Sequence, residues 1–224
     1  VVIDVGACPE IHALPDLSQF GGVQRDADEI VLLQHSSGTT GLQKGVALSH
    51  QAVLRQLDAY AATLHLTPED VIVSWLPLYH DMGLIAGFVM PLACGVPLVL
   101  MSPLEWVVAP YRLLHAISQY KGTLSWLPNF AYNFCAQKIR ERDLEGIDLS
   151  SLRAISNCSE PMRAESHQAF YDRFAPFGLQ ASALCTCYAM AENVFAVTQG
   201  GIRHKVVIDE IDRHAMQTER HAVP

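Results

Sequence analysis

The chain has 224 residues, of which 50% are hydrophobic and 17% charged, with a formal net charge of -8. That length carries a substantial core, and the balance of apolar and charged residues is that of a globular chain, not a disordered one. No cluster of lysine or arginine offsets the acidic balance, which excludes a nucleic-acid groove as the main function.

Residues 1–29 hold a short apolar start followed by a stretch rich in proline, glycine and aspartate without clear periodicity, the pattern of a linker or the leading segment of a truncated domain. Residues 30–33 read as a strand entering a glycine-rich loop, and residue 47 onward reads as the approach to a helix with Ser49 as candidate N-cap. The pattern then predicts a helix over 50–66, a buried strand over 71–75, a helix over 82–93 and a strand over 97–101. A helix over 110–120 with an early proline, a strand over 123–127 and a helix over 129–142 follow. A strand over 152–156, a helix over 163–174 and a strand over 181–188 complete the series. Such alternation predicts an α/β fold with a mainly parallel sheet covered by helices. Ligands of such sheets bind beyond the carboxyl ends of the strands, and residues 77–81, 157–161 and 188–192 each follow a predicted strand. The last segment, 200–224, is rich in charge and histidine, with 205–209 patterned as a short strand and 210–220 as a polar helix or loop.

The mainly apolar stretch 82–101 matches the roughly 20 residues a spanning helix needs. Gly83, Gly87, Pro91, Gly95 and Pro97 interrupt it, so a core helix followed by a buried strand is the better reading, and no membrane span is expected. No basic leader is read at the chain's start, and with Val1 in place of methionine a fragment or a processed chain is expected. The six cysteines form no CxxC pair and the ten histidines no HExxH pair. Reduced, mostly buried thiols in a cytoplasmic protein are expected.

The densest chemistry lies in LLQHSSGTTGLQKGV, residues 32–46. Gly38, Gly41 and Gly45 let the backbone turn and approach a ligand closely, so that successive amides converge on anionic oxygens. Ser36, Ser37, Thr39 and Thr40 add hydroxyl donors, and Lys44 adds a mobile positive charge suited to phosphate. Gln43 before Lys44 and Gly45 after it depart from the Walker A order, which disfavours P-loop phosphoryl transfer.

This segment resembles the phosphate loop of the acyl-adenylate-forming superfamily. Three further segments agree in order and spacing: SWLPLYHDMGL at 74–84, SNCSEPM at 156–162 and CYAMAEN at 187–193. The resemblance covers most of the chain from about residue 30 to residue 200. LPLYHDMGL, PNFAYNFC at 128–135 and the asparagine-x-x-Glu-Pro form at 157–161 look most like the fatty acyl-AMP ligase branch. The resemblance implies part of the large N-terminal domain of such an enzyme: a leading segment at 1–29, the AMP-binding core at 30–199, and a tail at 200–224 resembling the start of the branch's insertion.

Its implied reaction is attack of a fatty acid carboxylate on ATP, giving an acyl-adenylate and pyrophosphate, with the acyl group destined for an acyl carrier protein. Ser36, Ser37, Gly38, Thr39, Thr40, Gly41 and Lys44 would hold phosphates, and Glu192 would ligate Mg2+. Tyr188 would stack on adenine, with Asn157 and the backbone of Cys158 and Ser159 at the base's edge. His80 would meet the fatty acid carboxylate, with Lys44 assisting catalysis. Glu160 reads equally as a helix N-terminal charge, and Gly83 with Gly87 equally as room for an acyl tunnel or as close helix packing. Ala189, Ala191 and His35 depart from the superfamily's usual residues. Family members add a ribose-binding aspartate, a hinge and a C-terminal domain with a catalytic lysine, so turnover is expected to need parts beyond these residues. An acyl-CoA synthetase fragment and a non-catalytic nucleotide-binding module are the alternative readings.

Overall fold

The computed structural model describes residues 25–35 and 44–224. Two strands, β1 (Ile30–His35) and β2 (Gly45–Ser49), pair antiparallel with His35 opposite Gly45. Residues 45–49 are therefore a strand where the approach to a helix was expected. Val46 and Leu48 pack inward from an extended run too short to carry a helical period. Ser49 does cap the next element, its hydroxyl accepting the Ala52 N–H at 3.2 Å. Helix α1 (His50–Leu64) buries Val53, Leu57, Tyr60 and Leu64, one stripe at helical spacing, and stops at His65, whose φ of 51° is left-handed.

The main sheet has the order β4-β3-β5-β6-β7-β8. Its strands are β3 (Ile72–Ser74), β4 (Leu98–Leu100), β5 (Leu124–Leu127), β6 (Ala154–Asn157), β7 (Leu184–Ala189) and β8 (Ala196–Gly200). The first five run parallel, and β8 returns antiparallel along β7. Every residue of β3, β5 and β6 is buried, as strands covered on both faces require, which is why they read as apolar runs broken only by small polar residues. Strand β8 was not anticipated, because an edge strand with one inward alanine leaves no alternating apolar pattern.

Residues 82–93 are helical as expected but not as one α-helix. Met82–Val89 is a π-helix, and α2 (Met90–Cys94) continues it with Pro91 in its first turn. A side chain at Gly83 would collide with the Pro77 carbonyl, and one at Gly87 would lie 2.7 Å from the Ser74 hydroxyl. Close packing of this helix on β3 and on the segment just after it therefore accounts for both glycines.

Helix α3 (Pro103–Val108), absent from the sequence reading, precedes α4 (Tyr111–Tyr120). Helix α5 (Asn129–Lys138) is shorter than expected, because Ile139 turns extended to bury its side chain and a 3-10 turn follows at Glu141–Leu144. Helix α6 (Ala164–Phe174) packs Phe170 and Phe174 into the core edge-on, 4.7 Å apart. The strand expected at 205–209 is irregular and exposed, since Val207 and Ile208 find no neighbouring strand, and α7 (Arg213–Thr218) supplies the helix expected in 210–220.

At the N-terminal edge of the sheet Asp70 is buried and receives Arg153 through Nε at 2.7 Å and Nη2 at 2.6 Å, with the Thr123 hydroxyl at 2.7 Å. Arg153 also donates to the Leu64 carbonyl at 2.8 Å, tying the end of α1 to β3, β5 and β6. Burial pushes the Asp70 carboxyl up, but the bonds from Arg153 and then Thr123 outweigh it and hold it below its ordinary 3.8. The stabilisation is complete above that value and is lost as pH falls through the lowered one. Asp70→Ala leaves the guanidinium only the Leu64 and His65 carbonyls and is expected to cost about 2 kcal/mol, read as a lower urea midpoint at unchanged m-value.

Candidate functional site

Three of the four motif segments follow the carboxyl ends of parallel strands of the one sheet. The segment after β3 presents Tyr79, His80 and Asp81; the one after β6 presents Ser159, Glu160 and Met162; the one after β7 presents Tyr188, Met190 and Glu192. The fourth lies between β1 and β2: Ser36, Ser37, Gly38, Thr39, Thr40 and Gly41 fall outside the described residues, while Lys44 stands exposed just before Gly45 at the base of that pair.

His80 is paired with Asp81, Nδ1 to Oδ1 at 2.6 Å, and the same carboxylate oxygen accepts the Met82 N–H at 2.7 Å, so Asp81 caps the π-helix while orienting the ring. The Asp81 hydrogen bond raises the His80 pKa above 6.5 against an opposing effect of burial. With 47% of its side chain exposed, the imidazole remains open to an anionic partner while its charged form is favoured.

Behind this surface the loops after β5 and β6 are locked together. Asn157 is fully buried, and its amide N–H donates to Asn129 Oδ1 at 2.9 Å. That oxygen also takes the Arg163 N–H at 3.0 Å, while Asn129 Nδ2 donates to Ser166 at 3.1 Å. Asn157, expected at the ligand, spends its amide N–H on Asn129, while its buried Oδ1 has no hydrogen-bond partner among the described residues. Asn129 was missed, since a polar residue opening a helix gives no sign of a partner 28 positions away. Glu160 accepts the Phe130 N–H at 2.8 Å, capping α5 across the gap, which favours the helix-charge reading of this residue.

Cys158 is fully buried and Cys187 nearly so, side by side at the ends of β6 and β7. A hydrogen bond from the Cys187 thiol, outweighing burial, lowers the Cys158 pKa and raises that of Cys187. Ser159 adopts φ 70°, a strained value for a non-glycine residue, and turns its hydroxyl toward the Met82 sulfur at 3.8 Å. On β7 the alternation that buries Cys187 exposes Tyr188, 54% accessible at the sheet's end. Glu192 projects, exposed, from the 3-10 turn Ala191–Asn193.

Among the described residues no group of three or more histidine, cysteine, aspartate or glutamate side chains gathers to hold a metal. A lone exposed carboxylate suits Mg2+, which keeps water and substrate phosphate as most of its ligands, and does not suit a protein-built cage. Also among the described residues, no helix is long and apolar enough to cross a membrane.

A parallel sheet with these loops collected at its carboxyl edge is the architecture of the large domain of adenylate-forming enzymes. The sequence matches the family of AMP-binding enzymes over residues 2–219, and the chain belongs to that family. It is 33% identical to the medium-chain-fatty-acid–[acyl-carrier-protein] ligase JamA of Moorena producens, over 87% of this chain and 33% of that one. It is 35% identical to the probable long-chain-fatty-acid–AMP ligase FadD30 of Mycobacterium tuberculosis, over 85% of this chain and 35% of that one. Among solved structures, the fatty acyl-adenylate ligase of L. pneumophila in complex with acyl adenylate and pyrophosphate superposes with a TM-score of 0.78 at 39% identity, covering 81% of this chain and 32% of that one. The chain spans about a third of the length of these relatives.

Replacing the carboxylate partner of His80 provides a direct check on the electrostatics. In Asp81→Asn the imidazole titration, followed by NMR of its ring protons, is expected to fall toward 6.5 from its raised value. In the unmodified protein the pair's contribution to stability is fully present below 6.5 and fades as pH climbs through the raised pKa.

Proposed function

We propose that this chain carries the nucleotide-binding core of an enzyme that activates a fatty acid as its acyl-adenylate and then passes the acyl group to an acyl carrier protein. The observation that carries the reading is the collection of His80, Tyr188 and Glu192, each exposed, at one edge of a parallel sheet, in a family member whose similar proteins are named fatty acid ligases.

In this reaction a carboxylate oxygen attacks the α-phosphorus of ATP, the bond to the bridging β-oxygen breaks, and pyrophosphate leaves with the electron pair. Both reactants are anions, so the work of the site is positioning and charge neutralisation. His80, biased toward imidazolium by Asp81, holds the fatty acid carboxylate. The exposed ring of Tyr188 offers a stacking face to adenine, and the strained turn at Ser159 brings backbone groups to the base's edge. Lys44 and the glycine-rich segment before it take the phosphates. Glu192 would hold Mg2+, which would supply charge neutralisation there. Residues 200–224 serve as the start of the insertion that such ligases carry after this core, and a cytoplasmic setting matches the neighbouring free thiols of Cys158 and Cys187.

The test is fatty-acid-dependent exchange of labelled pyrophosphate into ATP by the enzyme that contains this chain. Glu192→Ala and Lys44→Ala are each expected to slow exchange about a hundredfold, on the order of 3 kcal/mol of transition-state stabilisation. Wild-type rates in both variants would remove these residues from the mechanism. Transfer to coenzyme A but not to a carrier protein, assayed on the preformed adenylate, would make the enzyme an acyl-CoA synthetase instead.

A further inference from the structure

The turn carrying Glu192 is followed by a residue in a conformation that its own side chain opposes. Val194 has φ 65° and ψ -51°, and the Phe195 N–H donates to the Asn193 carbonyl at 2.7 Å, closing a γ-turn of the rare positive-φ kind. A β-branched residue at positive φ is a true outlier, and such strain persists only where surrounding structure over-determines it.

The supports come from three directions. The Val194 side chain is buried, which fixes the turn from inside. Asn193 donates through Nδ2 to the Ala196 carbonyl at 2.6 Å and to Gln56 Oε1 of α1 at 3.0 Å, which fixes it from β8 and from the helix. The third support reaches across 160 positions of sequence: Gln34 of β1, only 8% exposed, donates from Nε2 to the Val194 carbonyl at 2.9 Å. An apolar side chain would serve the burial of this strand equally well; the amide serves the carbonyl of the strained residue. Without it that buried acceptor loses its donor, and relaxation of Val194 toward negative φ would swing the preceding residues, Glu192 among them.

We propose that Gln34 is a positioning residue for Glu192. Its bond to Val194 keeps the Ala191–Asn193 turn in the one conformation that holds the carboxylate beside the open depression of about 300 Å³ bordered by Leu48, Arg55 and Gln56. In sequence β1 leads directly into Ser36 and Ser37. The functional half of this inference rests on the adenylation reading; the structural half rests on the geometry.

The experiment uses Gln34→Met, close to glutamine in size, and Gln34→Leu, with Asp70→Asn as a comparison that weakens the opposite edge of the sheet. The readout is the magnesium concentration giving half-maximal fatty-acid-dependent pyrophosphate exchange. It is expected to rise about tenfold in the Gln34 variants, the scale of losing a group that orients a metal ligand, and to stay put in Asp70→Asn even where the melting temperature falls. An unchanged magnesium requirement in Gln34→Met overturns the proposal. Should the unmodified enzyme give no exchange, the adenylation reading fails by itself, and hydrogen exchange then decides the inference. Faster amide exchange across residues 191–195 in Gln34→Met than in the unmodified protein upholds Gln34 as the support of the Glu192 turn, and equal exchange refutes it.

Discussion

Burying the Asp70 carboxylate under the start of β3 imposes a demand for donors, met by Arg153, the Thr123 hydroxyl and the Thr67 N–H, and the way the chain meets it organises the molecule. Arg153 arrives from the start of β6 and Thr123 from the start of β5, while the guanidinium reaches on to the end of α1. One ionised group thereby fixes the relative height of three parallel strands and one helix at the N-terminal edge of the sheet. Buried charge is costly unless paired, so the arrangement is all or none.

The opposite edge has the reverse character. The strands there end in loops whose side chains are left open: Tyr79, Phe130, Met162, Tyr188 and Met190 all remain exposed. Ser159 after β6 and the β-branched Val194 after the Glu192 turn, both at positive φ, lie at this edge. A rigid polar network at one end and strained, exposed loops at the other is the division expected of a scaffold that positions chemistry on its loops. Between them lies a core knitted by Tyr60, which accepts the Trp126 indole N–H and donates to Gln199, each at 2.8 Å, so that α1, β5 and β8 share one buried hydroxyl.

The parallel sheet and the helices around it were legible in the sequence because fully covered strands are short apolar runs between amphipathic helices, and the chain repeats that unit several times. The motif segments were legible by their resemblance, and Ser49 as a cap by residue type alone. What escaped notice depends on distant partners. Strand β8 exists because β7 offers an open edge, and its own five residues carry almost no pattern. Residues 205–209 carry a better strand pattern and form none, for want of a neighbour. The inward turn of Asn157, the capping of α5 by Glu160 and the bond from Gln34 to Val194 each join residues some 30 to 160 positions apart. No local period encodes contacts of that range.

The wide helix at Met82–Val89 has a consequence for how this segment tolerates change in length. Its closing bond runs from the Met90 N–H to the Ile85 carbonyl, five residues back, so each turn holds more residues than an α-helix needs. Loss of a single residue from an ordinary buried helix rotates everything after it by about 100°, taking inward side chains out of the core. Here a one-residue deletion has somewhere to go, since the turn can tighten to α geometry and leave Met90 facing inward. The segment adjoining His80 thus holds spare length, a slack that allows its register to shift during divergence while β3 and the helix ahead of β4 stay in place.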